Sequence, residues 1–105
     1  MKINLLVLVS SYKEQNKNNV STLIKTIEST IRPVEGDIID DPGFDPGFHN
    51  GYKVVKVTLN YASNTCWVSL SPLEIEAEEI SVQSYVNKLE KNGWKVVTKE
   101  ELLNM

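Results

Sequence analysis

The sequence predicts an α+β domain: an antiparallel β-sheet, or a small open barrel, of five to six strands with a C-terminal helix packed on it. Three observations carry this expectation. Residues 51–71 alternate apolar and polar side chains on both sides of a turn-forming Ala-Ser-Asn, as a β-hairpin does. Val82, Tyr85, Val86 and Leu89 form an apolar stripe at helical spacing, closed by Asn92-Gly93. Short polar connections separate the other apolar runs, which suits a sheet with a helix laid against it. At 105 residues the chain makes one domain, 1–105, with a turn-rich loop at about 41–50.

Ile3–Ser10 is apolar at both parities and reads as a strand covered on both faces. It is too short to span a bilayer, and no small-x-small cleavage pattern follows it. A polar, Asn-rich loop comes next. The segment 20–32 is two-sided in its signals. Val20, Leu23, Ile24, Ile27 and Ile31 match helical spacing with Asn19 as a cap, yet Ile, Thr and Val suit a pleated surface. Pro33 also pushes the residue before it towards extended geometry. A strand over about 23–32 is the reading taken.

Gly36–Asp40 reads as a short strand entered through a turn. In the hairpin 51–61/65–71, a Ser63-Asn64 loop would set Leu59 opposite Val68, Val57 opposite Leu70 and Tyr61 opposite Cys66, all on one face. Thr58/Ser69 and Asn60/Trp67 would lie on the other, with Val54 and Tyr52 further along the Trp67 side. The acidic LEIEAEEI that follows Pro72 has no clear state. Ser81 is the expected N-cap of the helix, and Trp94 is placed to pack back on Leu89 in a Schellman motif. A strand at 94–97 and a capping box of Thr98 with Glu101 end the chain. RPVEGDII followed by GYKVVKV resembles the opening strands of SH3-like small barrels. Gly36-Asp37 and the alternating strand carry this likeness over about a third of the chain. It implies the open-barrel form of the fold and no particular function.

Charge is unevenly spread around a net of −3. Residues 1–32 hold five basic and two acidic side chains, whereas 33–50 hold five acidic and no Lys or Arg. No basic run offers a phosphate backbone a hold, so nucleic acid is not an expected partner, and no membrane association is expected. A single cysteine, Cys66, cannot form an internal disulfide, which favours a reducing, cytoplasmic setting.

The most unusual stretch is DDPGFDPGF, residues 40–48, which repeats Asp-Pro-Gly-Phe. Each copy reads as a β-turn, with Pro fixing φ at the second position and Gly accepting positive φ at the third. A metal or small-ligand site built from Asp37, Asp40, Asp45 and His49 is the alternative. Its spacing does not follow a calcium-loop order, and no Glu closes it. Phe44 and Phe48 either pack down on the sheet as anchors or are offered to a partner beside Asp41 and Asp45; anchoring is the commoner use of a ring. Trp67, with Tyr52, is the second candidate contact. Cover by the 81–92 helix is expected for Trp67; left uncovered, it marks a binding surface.

No nucleophile motif, phosphate loop, zinc motif or CxxC is present. Cys66 lies on the expected core face, where a thiol is inert, and His49 lies in a loop. The expected function is therefore a small non-catalytic binding or accessory domain without a cofactor, engaging a protein partner through Phe44, Phe48, Asp41 and Asp45, and secondarily through Trp67 and Tyr52.

Overall fold

A computed structural model describes residues 1–11, 21–44, 51–75, 82–98 and 100–101. Among these residues seven strands and the helix α1 follow in the order β1 (Lys2–Ser11), β2 (Ser21–Glu28), β3 (Ile38–Ile39), β4 (Tyr52–Asn60), β5 (Thr65–Leu70), β6 (Leu73–Ile75), α1 (Val82–Lys91) and β7 (Lys95–Val97). The strands form one sheet in the order β3-β4-β5-β1-β2-β7, with β6 paired to the far end of β1. Pairing is antiparallel except at β1, which runs parallel to both β5 and β6. The sheet is thus mostly antiparallel and mixed at its centre, and α1 packs on one face of it.

Residues 21–28 are extended, as the β-branched content of the segment favours. The helical spacing of its apolar residues is coincidental: Leu23 and Ile24 lie on opposite faces and both are buried. β6 supplies the strand that the acidic 73–80 stretch left undecided. Ser81 lies outside the described residues.

One face of the sheet, here called inner, carries Ile3, Leu5, Val7, Val9, Leu23, Val54, Cys66, Val68 and Leu70, all buried. Val82, Tyr85, Val86 and Leu89 of α1 close over it, with Phe44 and Trp94. α1 ends as its sequence requires. Trp94 N–H donates to the Leu89 carbonyl at 3.1 Å and Gly93 N–H to Glu90 at 3.3 Å, the paired bonds of a Schellman motif. Gly93 takes φ 93°, a conformation that costs a residue with Cβ. The Thr98–Glu101 capping box also forms, each residue's side chain accepting the other's N–H.

The hairpin keeps its faces but not its expected register. Leu59 pairs with Cys66, Val57 with Val68 and Thr58 with Trp67, two residues displaced from the pairing read off the turn sequence. The turn runs over 61–64, because Asn60 Oδ1 accepts the N–H of Ser63 and Asn64 adopts φ 54°. Tyr61 therefore lies out in the turn, exposed, instead of facing Cys66. A two-residue slip preserves which side chains point inwards, whereas a one-residue slip would reverse them.

Such a reversal does occur further along. The pairing jumps between Val54/Leu70 and Lys56/Ser69, a β-bulge that absorbs Val55. Beyond it, Val54 and Tyr52 turn to the inner face, so they are not on Trp67's side as the unbroken alternation implied. β1 departs from expectation too: its outer face is not fully covered, and Leu8 is exposed there.

Candidate functional site

The first Asp-Pro-Gly-Phe turn is anchored to the core. Phe44 N–H donates to the Asp41 carbonyl at 2.9 Å, closing the β-turn. The Phe44 ring is 4% exposed and sits edge-on to Tyr52, with ring centroids 4.7 Å apart. Its other neighbour is Trp94, at 5.6 Å. Of the two uses open to Phe44, anchoring is the one observed, and Tyr52 is its packing partner. Phe48, Asp45 and His49 lie outside the described residues.

Asp41 is turned inwards as well. Its Oδ1 accepts Lys25 Nζ at 2.6 Å, while Oδ2 accepts Trp94 Nε1 at 2.9 Å and Gly43 N–H at 2.8 Å. Burial alone would raise this carboxyl's pKa. The hydrogen bonds from Lys25, Trp94 and Gly43, with the lysine's charge, outweigh burial and hold it below the ordinary value. Gly43 does not need positive φ, contrary to the turn geometry expected of it. Space favours it instead: a Cβ there would lie 3.0 Å from both Asp41 Oδ2 and Leu89 Cδ2, so these neighbours would have to give way. The turn is pressed against the end of α1, and its polar groups serve the fold.

The other acidic candidates have local roles. Asp37 Oδ2 accepts the N–H of Val34, and Asp40 Oδ1 accepts that of Asp41. Among the described residues no three His, Cys, Asp or Glu side chains cluster as metal ligands would. Cys66 is fully buried, and burial pushes its thiol pKa up, with Arg32 opposing weakly. It is a core residue without thiolate character.

Trp67 has the surroundings of a contact site. It stands on the outer face of β5, away from α1, so the expected cover by the helix is absent. Register places it in a row with Thr58 of β4, Asn4 of β1 and Thr26 of β2. The row below holds Asn60, Thr65 and Lys2. Between these rows and the hairpin turn opens a recess of about 460 Å³, lined by Lys2, Asn4, Asn60, Ser63, Thr65 and Trp67. That size lies within the range of roughly 300–1,000 Å³ seen for ligand sites.

The hydrogen bonds inside the recess fix what it presents. Asn60 Oδ1 is occupied by the N–H of Ser63 at 3.2 Å, and Asn4 Oδ1 by the Thr26 hydroxyl at 2.7 Å. Ser63 and Thr65 hydroxyls bond each other at 2.7 Å. Among the described residues no carboxylate lines the recess. Alternation in β4 and β5 marked Trp67 as outward-facing; the part played by Lys2 and Asn4 arises from the parallel β1–β5 pairing, which has no local signature.

No protein family, curated protein or solved structure matches this chain. No helix among the described residues is long and apolar enough to cross a membrane.

Proposed function

We propose that the chain is a small, non-catalytic binding domain of the cytoplasm whose contact surface for a protein partner is the outer face of the sheet, centred on Trp67. One observation carries this reading: a half-buried tryptophan stands in a polar recess on the face that α1 leaves open. Indole rings are favoured at interface centres, where one side is desolvated and the N–H finds a partner. The Phe44 turn plays the supporting part, since Phe44, Asp41 and Tyr52 fasten residues 41–44 to the inner core.

A photo-crosslinking side chain at Thr58, exposed beside Trp67, tests the assignment in cells. A discrete protein adduct from position 58, and none from exposed Gln83 on α1, is expected. Equal adducts from both positions, or none from 58, would remove the outer face as the contact surface.

A further inference from the structure

We propose that the recess beside Trp67 receives a carboxylate carried by an acidic segment of the partner, with the indole as its apolar wall. This rests on the reading of the outer face as the contact surface and names the chemistry of what docks there.

The lining residues carry several side-chain donors: two amide groups, an indole N–H and an ammonium. Because a backbone N–H can only donate, the bond from Ser63 fixes the Asn60 amide with its oxygen inwards. Its Nδ2 group then has no partner among the described residues. Asn4 Oδ1 accepts the Thr26 hydroxyl, and the Asn4 Nδ2 group has no partner among the described residues. Trp67 and Lys2 also line the recess, and their indole N–H and ammonium have no partner among the described residues. A ligand that satisfies such a lining must bring acceptors, and an ionised carboxylate is the acceptor that gains most from amide, indole and ammonium donors.

The charge of the surrounding face points the same way. Among the described strand residues, register places Lys2, Lys53, Lys56 and Lys95 on it against Glu28 and Glu74. Glu28 lies 3.8 Å from the amino group of Met1, and Lys95 lies 3.9 Å from Glu101. Lys2 and Lys56 have no ion-pair partner among the described residues. On a chain of net charge −3, this is a basic patch with an aromatic at its centre. Charge complementarity of this kind selects partners and speeds encounter.

The test uses the full chain and two acetylated, amidated pentapeptides, Glu-Tyr-Glu-Leu-Glu and its glutamine counterpart Gln-Tyr-Gln-Leu-Gln, followed by ¹H–¹⁵N NMR. The glutamate peptide should shift the side-chain amides of Asn4 and Asn60 and the indole N–H of Trp67, and bind at least about tenfold more tightly than the glutamine peptide. Lys2→Glu should abolish the difference. So should Asn60→Asp, which keeps the acceptor for Ser63 N–H but replaces the amide donor with a carboxylate oxygen.

Equal binding of the two peptides, or shifts confined to other faces, would overturn the proposal. So would sodium acetate reproducing the full response at the same concentration, which would assign the site to free carboxylates. Tighter binding of a ten-residue oligothymidylate would assign it to nucleic acid. A protein adduct from position 58 with no preference for the glutamate peptide would leave the contact face standing and remove the carboxylate alone. Selective peptide binding without an adduct would do the opposite.

Discussion

The carboxylate of Asp41 accepts the indole N–H of Trp94 across 53 residues of chain, at 2.9 Å. With Lys25 on its other oxygen, Asp41 ties three separate segments together: β2, the Asp-Pro-Gly-Phe turn and the Schellman motif that follows α1. Replacing Asp41 by Ala leaves a buried indole N–H without an acceptor and should cost roughly 2–3 kcal/mol. Trp94→Phe keeps most of the ring and should cost less, about 1–2 kcal/mol. Denaturant unfolding of both single variants and the double variant should give less than the sum of the two losses. Strict additivity would show that the hydrogen bond contributes nothing.

Acid should expose the same contact. The folded-state pKa of Asp41 lies below the ordinary carboxyl value of about 3.9, so the unfolded chain binds this proton more readily. Its stabilisation is therefore complete above the unfolded value and drains away as pH falls through the folded one. The stability gap between the natural chain and Asp41→Asn should be constant near neutrality and close on acidification below about pH 4. Urea titrations at a series of pH values will show whether it does.

Phe44→Ala removes a ring that is 4% exposed and wedged between Tyr52 and Trp94. A loss of about 3–5 kcal/mol is expected. Differential scanning calorimetry should show a much lowered melting temperature. An unchanged melting temperature would mean that the ring is not seated in the core.

Gly43→Ala should destabilise the domain by about 1–3 kcal/mol, because its methyl group meets Asp41 Oδ2 and Leu89 Cδ2. Since φ is not the obstacle at this position, clearing one contact with Leu89→Ala, itself a costly core truncation, should make the two losses less than additive. Chemical denaturation of both single variants and the double variant measures that departure from additivity.

The features legible in the sequence are those whose cause is local. Asn92-Gly93-Trp94 encodes its helix end within three residues, and Thr98 with Glu101 encodes its cap within four. The side of the hairpin that Val57, Leu59, Cys66 and Val68 occupy follows from alternation alone. Their register does not, because it depends on whether Asn60 starts the turn, and an Asn has several equally local uses. The bulge at Val55 has no Gly or Pro to announce it, so Tyr52 and Val54 are assigned to the wrong face by simple counting.

The candidate site shows the same division. Asp41 reads as a turn former because Pro and Gly follow it, but its partners stand 16 and 53 residues away and leave no trace nearby. Trp67 is recognisable as outward-pointing. That α1 lies on the opposite face is set by long-range packing of Tyr85 and Leu89 on the inner core, which nothing near Trp67 announces. Asn4, buried at 5% inside an otherwise apolar run, was the overlooked signal: a polar residue in that position needs a partner, and Thr26 provides it.

The position of β1 bears on the order of assembly. It lies between β2, which follows it almost at once, and β5, whose residues 65–70 come more than fifty positions later. Until that later segment arrives, the side of β1 that β5 will occupy has its backbone groups unpaired, and Ile3, Leu5 and Val7 lack the apolar cover of Cys66 and Val68. Long-range closure of this kind is slow compared with hairpin formation. A β1–β2 pair without β5 would present an open strand edge to other chains, and pairing with β5 closes that edge.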